Sequence, residues 1–376
     1  MKMKGLKTIL FAAATMIAVP SLVTSCDEWT EIEAKDYFSA TANTEAYKAQ
    51  LKNYFNSPHK VMFGWFGSWS AGNISNKLIG LPDSTDFVSL WLCYGNLNEA
   101  QQEDLKAFQD RGSRAVLCWL NTNIGENITP GVNGIPNTQD AFKYWGYIPT
   151  TATESNPLKA PKYDANLNAE LDANGDTILY DYIYSKESHI AAAEKYADAI
   201  ADTCAKYNID GFDADLESWG TLIRSGNDSI ILNSFFRRLI QRFEPENRWL
   251  VLDIPGGTGW LGYYDIVSAD VLEKVKYICW QTYELQHSGL DNFFDAVKQY
   301  KPEIFEQVLA KSVITATFER AADKYLFPIH STWKYRNGLL PHAGQGAYHI
   351  EYDYPGNPDY PYVRAGISTQ NPPIYE

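Results

Sequence analysis

The sequence predicts an α/β protein folded as a (β/α)8 TIM barrel, with a long insertion between its third and fourth strands. Eight continuous apolar runs have the length and composition of strands that are buried on both faces of a parallel sheet. Between several of them lie stretches with apolar residues three and four positions apart, the spacing of a helix with one buried face. Eight strands alternating with helices indicate a closed barrel inside a ring of helices.

The predicted helices and strands begin at Ala46 and continue to Tyr352. The predicted helices are Ala46–Phe55, Asn98–Asp110, His189–Tyr207, Ser229–Phe243 and Leu290–Tyr300. The predicted strands are Val61–Phe66, Phe87–Tyr94, Arg114–Leu120, Ile209–Glu217, Trp249–Ile254, Tyr277–Tyr283, Ser312–Thr317 and Gly346–Tyr352.

The connection Thr122–Glu187 is too long for a plain crossover and is rich in Asn, Pro, Gly and Thr. We expect it to form the wall of a subsite. Within it, Glu170–Gly175 loosely resembles a calcium-binding loop, but its first ligand position is Glu and no pair of helices flanks it. A hairpin turn at Asn174-Gly175 is therefore predicted.

Composition and charge exclude several classes of protein. Hydrophobic residues make up 45% and charged residues 21% of the 376 residues, which excludes disordered, collagenous and polytopic membrane chains. A formal net charge of −14 argues against nucleic acid as a partner, because binding phosphates needs a basic surface. The 11 Trp and 25 Tyr residues fill the core for the most part, but flat rings in a polar cleft also stack against sugars.

The N-terminal segment has the features of an export signal. Three lysines before Thr8 precede the short apolar stretch Thr8–Val19, which is too short to span a bilayer. The sequence Leu22–Cys26 resembles a bacterial lipobox, in which Cys26 becomes the acylated first residue of the mature chain. The acidic residues that follow directly resemble the surface-export signal of lipoproteins in glycan-foraging Gram-negative bacteria.

These features predict three segments: a lipoprotein signal peptide at 1–25, a tether and helix at 26–58, and the barrel at 59–376. We expect an outer-membrane lipoprotein, exposed at the cell surface, a monomer that contacts the membrane through its lipid anchor only. The cysteines that remain, Cys93, Cys118, Cys204 and Cys279, have no Cys-x-x-Cys spacing and are expected in the core. The six histidines show no metal-binding spacing, so neither a metal nor a cofactor is predicted.

The segment Asp210–Glu217, with the sequence Asp-Gly-Phe-Asp-Ala-Asp-Leu-Glu, has the most informative pattern. In a strand, alternate residues share a face, so Asp213, Asp215 and Glu217 point to one side and the apolar residues between them point to the other. Repulsion and burial raise the pKa of at least one carboxyl in such a row, which keeps a general acid protonated near neutral pH. The alternatives are a row of solvated acids or a metal site.

The octapeptide resembles the Asp-Gly-x-Asp-x-Asp-x-Glu signature of glycoside hydrolase family 18, which lies on the fourth strand of a (β/α)8 barrel. In that family the 2-acetamido oxygen of the substrate attacks the anomeric carbon and forms an oxazolinium ion, so no nucleophile from the enzyme is needed. The resemblance implies that Glu217 is the general acid and base, and that Asp215 holds the acetamido N–H and stabilises the oxazolinium. It also implies that Asp213 supports Asp215 through a shared proton, while Asp210 and Gly211 are structural.

The sixth predicted strand separates two branches of this family. Chitinases usually have Met-x-Tyr-Asp there, whereas endo-β-N-acetylglucosaminidases resemble Gln-x-Tyr, and this chain has Gln281-Thr282-Tyr283. The resemblance therefore implies that Gln281 and Tyr283 contact the acetamido group, and that the substrate is the GlcNAc-β-1,4-GlcNAc core of N-glycans. Alternatively, both side chains only form hydrogen bonds inside the barrel. The other functions left open are a chitinase-like hydrolase of β-1,4-linked N-acetylglucosamine oligomers and a non-catalytic glycan-binding lipoprotein.

Replacing Cys26 with Ala removes the thiol that the lipid is attached to. The Cys26→Ala protein should leave the membrane fraction and appear in the soluble fraction, which membrane fractionation with immunodetection measures. A wild-type protein that is already soluble in the periplasm would show that Cys26 carries no anchor.

Overall fold

Eight parallel strands close into a barrel, which confirms the predicted fold class. Around the barrel the eight strands stand in chain order, and the last strand pairs with the first. Their bounds are β1 Val61–Phe66, β2 Phe87–Trp91, β3 Arg114–Leu120, β6 Gly211–Asp215, β7 Trp249–Pro255, β8 Tyr277–Gln281, β9 Ser312–Thr317 and β10 Gly344–Tyr348. The octapeptide thus supplies the fourth strand of the barrel.

This computed structural model describes residues 45–129, 144–146, 153–156, 158–162, 164, 168–182, 185–224 and 229–372. The chain divides into two units, Met1–Gln50 and Leu51–Glu376, and the first is described only from Glu45. Cys26 and the predicted signal peptide lie outside the described residues. None of the described helices is both long enough and apolar enough to cross a membrane.

The longer helices alternate with the barrel strands, and shorter helices and turns fill the other connections. The helix Asn98–Asp110 that we predicted begins one residue later, because the Asn98 side chain accepts a hydrogen bond from the backbone of Gln101 and caps the helix. The α-helices are Glu45–Asn56, Glu99–Asp110, Lys186–Tyr207, Ile230–Phe243, Gly262–Asp265, Ala269–Lys274, His287–Tyr300, Phe305–Lys311, Ala321–Lys324, Phe327–His330 and Pro361–Gln370.

Four predicted strands end earlier than their apolar runs suggest: β2, β10, and also β6 and β8, which end at Asp215 and Gln281. The strand β2 stops at Trp91 because Leu92 adopts a left-handed backbone conformation, with φ of 60°. The last strand is β10, Gly344–Tyr348, and not 346–352, because His349 also adopts a left-handed conformation and a 3-10 helix, Ile350–Asp353, follows. Apolar composition alone cannot show such ends, since turn residues near a barrel are buried too.

The insertion contains a small antiparallel sheet of β4 (Leu158–Pro161) and β5 (Leu179–Tyr182). The predicted turn at Asn174-Gly175 is confirmed. Gly175 has φ of 87°, and its N–H donates to the Asp172 carbonyl over 3.0 Å. Glu170–Gly175 therefore leads into a tight turn between paired segments.

The core has two layers, separated by the barrel wall. Phe212, Ala214 and Leu216 of the octapeptide belong to the outer layer, which packs the strands against the helices. Cys118, Cys204 and Cys279 are buried with free thiols, but Cys93 follows β2 in a turn and is only partly buried. The inner layer that fills the barrel consists of Val61, Phe63, Trp65, Phe87, Cys118, Val251, Cys279 and Val313.

Candidate active site

The first two residues of the octapeptide, Asp210 and Gly211, hold β6 against the neighbouring elements. The Asp210 carboxylate accepts hydrogen bonds from the Ala115 backbone and the Gln109 side chain, both over 2.9 Å. Gly211 has φ of 150°, and a Cβ on it would lie 2.0 Å from the backbone oxygen of Trp249. Only glycine fits this close approach between strands. The two residues therefore fix the position of β6, as the resemblance implied.

The carboxyls of the octapeptide lie at increasing height inside the barrel. Asp213 and Asp215 are buried on the inner face of β6, whereas Glu217 lies just past the end of the strand and is partly exposed. The strand is thus shorter than predicted. The structure nevertheless brings the three predicted carboxyls to one side, and the row runs from the barrel interior to its opening.

Asp213 is the deepest of the three. Its Oδ2 accepts hydrogen bonds from Trp65 Nε1 over 3.1 Å and from Ser89 Oγ over 2.5 Å. Burial raises the pKa of Asp213 to about 6, against the lowering effect of hydrogen bonds from Ser89, Cys118 and Trp65. Within the described residues, Asp213 accepts hydrogen bonds from these donors and forms none with Asp215.

Asp215 and Glu217 form a pair of carboxyls at the end of the strand. Burial raises the pKa of Asp215 well above its usual range, and the charges of Glu217 and Asp213 and a hydrogen bond with Glu217 raise it further. A hydrogen bond between two carboxyls requires a proton on one of them. These causes favour the protonated form of Asp215.

Asp253 is a fourth buried carboxyl, which we did not predict. It lies on β7, where it is the direct neighbour of Asp215 across the sheet. Burial, then the charges of Asp215, Asp213 and Glu217, raise its pKa well above the usual range. An aspartate inside the apolar run Trp249–Pro255 was the signal that could have identified it, because an isolated acid in a buried strand needs a partner.

Gln281 and Tyr283 face these carboxyls from the end of β8. Gln281 Nε2 donates to Asp253 Oδ1 over 3.0 Å and also to Glu217 Oε1. Burial and the charges of Asp253, Asp215 and Glu217 raise the pKa of Tyr283 well above its usual range, so its hydroxyl keeps its proton. The ring of Tyr283 stacks against Tyr348, with centroids 6.3 Å apart.

A cavity of about 540 Å³ opens at the carboxyl ends of the strands and contains this group. Its size and its mixture of aromatic and polar walls suit a small ligand. Among the described residues of the insertion, Asn127 lines it. The lining residues are Trp65, Trp91, Leu92, Tyr94, Leu120, Asn127, Asp215, Glu217, Asp253, Gln281, Tyr283 and Tyr348.

Below the cavity, ligand atoms of Cys118, Asp213 and Asp253 lie within 4.8 Å of one another, close enough for a metal ion. Metals bind thiolate and carboxylate forms. Burial raises the pKa of all three groups, which favours their protonated forms. The cluster is therefore better suited to hydrogen bonding than to binding a metal.

Replacing Asp253 with Asn should raise the midpoint of thermal unfolding more at pH 8 than at pH 5. The carboxyl has a pKa near 3.8 when unperturbed and well above that in the folded chain. Unfolding thus releases a proton, and the stability that this group contributes falls as the pH rises from about 4 towards the folded pKa. The amide keeps the acceptor oxygen for Gln281 but does not titrate.

The exposed Asp270 provides the control, since a hydrogen bond from Arg237 lowers the pKa of Asp270. Asp270→Asn should lower the midpoint slightly at both pH values, because the carboxylate is ionised at both. Differential scanning calorimetry measures both variants. If Asp253→Asn raised the midpoint of thermal unfolding equally at pH 5 and pH 8, the raised pKa of Asp253 would be contradicted.

Known proteins share both the fold and part of the sequence. Residues 30–153 match the family model "Glycoside hydrolase family 18, BT1044-like". The solved structure of a selenomethionine variant of BT1044 is 28% identical, covers 90% of this chain and 95% of its own, and superposes with a TM-score of 0.65. No curated protein sequence matches.

Two further solved structures share the fold at lower identity. The endo-β-N-acetylglucosaminidase of Cordyceps militaris is 18% identical, covers 88% of this chain and 97% of its own, and has a TM-score of 0.56. A chitinase domain of Ostrinia furnacalis in complex with (NAG)5 is 9% identical, covers 83% and 96%, and has a TM-score of 0.50. With its barrel, its octapeptide on the fourth barrel strand and its match to the family model over residues 30–153, this chain is similar to proteins of glycoside hydrolase family 18.

Proposed function

We propose that this protein is an endo-β-N-acetylglucosaminidase that hydrolyses the GlcNAc-β-1,4-GlcNAc core of N-glycans with retention of configuration. The observation that carries the proposal is the contact of Gln281 with Glu217 and Asp253, inside a cavity that Tyr283 also lines. A glutamine and a tyrosine thus face the carboxyl pair from one side. The amide and the phenol are polar groups that a sugar acetamido group can bind.

Glu217 acts as the general acid. The raised pKa of Asp215 favours a proton on this carboxyl, which can pass to Glu217 at the opening of the cavity. Glu217 donates this proton to the glycosidic oxygen while the acetamido oxygen attacks the anomeric carbon. The resulting Glu217 carboxylate then accepts a proton from the water that opens the oxazolinium ion, which returns the site to its initial state.

Asp215 stabilises the charge that develops on the oxazolinium ring. Once its proton has passed through Glu217 to the glycosidic oxygen, Asp215 is a carboxylate, and its burial strengthens its attraction to a nearby positive charge. Gln281 and Tyr283 orient the acetamido group towards the anomeric carbon. A fixed orientation matters because intramolecular attack is fast only from a near-attack geometry.

Asp213 and Asp253 act as positioning residues. Asp213 is held by Trp65 and Ser89 below Asp215, and Asp253 accepts from Gln281. The pKa values of both carboxyls are raised, so their protonated forms are favoured beside Asp215 and Glu217. After burial, the charges of Glu217 and Asp213 raise the pKa of Asp215, which favours its protonated form.

The same proposal includes the location of the enzyme. A lipid on Cys26 would hold the barrel at the surface of the outer membrane, where glycoproteins of the surroundings are accessible. The support is the lipobox-like sequence and the acidic residues that follow it. The negative net charge would keep the protein away from anionic lipid, so that only the anchor contacts the membrane.

Digestion of defined N-glycoproteins and chitin oligomers tests the substrate. Wild-type protein should release high-mannose, hybrid or complex glycans that each retain one N-acetylglucosamine, which mass spectrometry detects. Glu217→Gln should lose about 10²–10⁴-fold in turnover, because the amide cannot donate the proton. Substrate binding, measured by calorimetry, should persist in this variant.

Glu306→Gln is the matched control, because Glu306 is exposed on the outer helix Phe305–Lys311. It should have wild-type turnover. Equal turnover in Glu217→Gln and wild type would show that Glu217 is not the general acid. Cleavage of chitin oligomers alone would indicate the chitinase branch, and binding without cleavage of either substrate would indicate a glycan-binding protein.

Asp215→Asn tests the substrate-assisted step. Asn can still hold the acetamido group but cannot neutralise the oxazolinium, so hydrolysis should slow by roughly 10²-fold, the scale of one lost electrostatic group. A supplied glycan oxazoline should still be accepted, and its glycan should accumulate on an N-acetylglucosamine acceptor. Chromatography of the products measures both reactions. Rapid hydrolysis of the oxazoline product by Asp215→Asn would contradict the role of Asp215.

A further inference from the structure

Three stacked aromatic rings stand beside the site on the loops that follow β6 and β7. The ring of Tyr263 lies 4.6 Å from that of Trp219, with planes 28° apart, and 6.2 Å from that of Trp260, with planes 8° apart. Tyr263 is buried, whereas Trp219 and Trp260 are 48% and 54% exposed. We call these three residues the aromatic stack.

The aromatic stack is close to Glu217 but does not line the cavity. Trp219 follows Glu217 by two residues, and the charge of Glu217 contributes, after burial, to the raised pKa of Tyr263. The cavity is lined by Glu217, Asp215 and Tyr283 and by none of the three rings of the stack. Glu217 therefore borders the cavity and also lies near the aromatic stack.

Core packing does not account for the two exposed indoles. Large aromatic residues are normally buried, and clustered exposed ones mark binding surfaces. Here a buried tyrosine between two tryptophans holds the ring planes nearly parallel, so little side-chain freedom remains to be lost on binding. A flat, preformed aromatic surface matches the apolar face of a sugar ring, and a neutral sugar suits a strongly acidic protein.

The position of Glu217 indicates which sugar this is. In the proposed reaction, the sugar that forms the oxazolinium lies in the cavity with Asp215 and Tyr283. Glu217 protonates the oxygen that joins this sugar to the departing one. The departing sugar must therefore extend past Glu217 and out of the cavity, and the aromatic stack lies beside Glu217 outside the cavity wall.

We infer that the aromatic stack binds the leaving half of the substrate, the N-acetylglucosamine that stays on asparagine, with Trp219 beneath that sugar. This inference rests on the proposed function, because it uses the role of Glu217. In the reverse direction, the same surface would bind the acceptor sugar when a glycan is transferred from an oxazoline. Loss of the stack should therefore impair transfer more than hydrolysis of an oxazoline, which needs only water on that side.

The test supplies a glycan oxazoline together with GlcNAc-asparagine and measures the ratio of transfer to hydrolysis by chromatography. Trp219→Ala should lower this ratio roughly tenfold, and Trp260→Ala by less, as expected for loss of aromatic contacts. Trp219→Phe, which keeps a flat ring, should retain most of the wild-type ratio of transfer to hydrolysis. Calorimetric titration of GlcNAc-asparagine into Glu217→Gln, with and without Trp219→Ala, should show the same loss of binding.

Tyr325→Ala is the control, because Tyr325 is also an aromatic residue, 67% exposed, in the connection that follows β9. Its ring contacts Tyr362 and not the aromatic stack, so this variant should keep the wild-type ratio. A Trp219→Ala protein with the ratio and binding of Tyr325→Ala would overturn this inference alone. A wild-type protein that neither cleaves N-glycans nor uses the oxazoline would overturn the proposed function and this inference with it.

Discussion

The burial of several carboxyls at one end of a closed barrel is the constraint on which the rest of this site depends. Asp213, Asp215 and Asp253 are buried on adjacent strands, and Glu217 is joined to them at the opening. Ionising all of them would place several like charges in a region with little water, which is strongly unfavourable. Burial therefore raises the pKa values of Asp213, Asp215 and Asp253 and favours their protonated forms. Such a retained proton is what a general acid needs.

The barrel supplies the conditions for this constraint. Apolar side chains such as Phe63, Phe87 and Val251 fill its interior below the carboxyls. Solvent therefore reaches the row of carboxyls from the carboxyl ends of the strands. The few donors in that interior are directed at the carboxyls, as Trp65 and Ser89 show for Asp213. Because their pKa values are raised in the folded chain, the contribution of Asp213, Asp215 and Asp253 to the free energy of unfolding falls as the pH rises.

The depth of each carboxyl fits the role that we propose for it. Asp213 is deep and fully surrounded, Asp215 lies at the floor of the cavity, and Glu217 lies at the rim. A group at the rim can reach an oxygen between two sugars, whereas a group at the floor can contact only the sugar inside. The exposed rings of Trp219 and Trp260 near the rim extend this arrangement beyond the cavity.

The sequence by itself determined the barrel, since eight apolar runs and the helical spacings between them are local patterns. It also determined the alternation at Asp213, Asp215 and Glu217, because a strand places every second residue on one face. Strand ends were less predictable, as Leu92 and His349 show, because a left-handed turn beside the core keeps its apolar composition.

Only the tertiary structure decided which residues from distant parts of the chain meet at the site. Asp253 adjoins Asp215 because β7 pairs with β6, and the Gln281 amide reaches both Asp253 and Glu217 because β8 pairs with β7. The stack of Trp219 on Tyr263 likewise depends on two loops that adjacent strands bring together. A local pattern specifies which face a side chain occupies, but closure of the barrel determines its neighbours across the sheet.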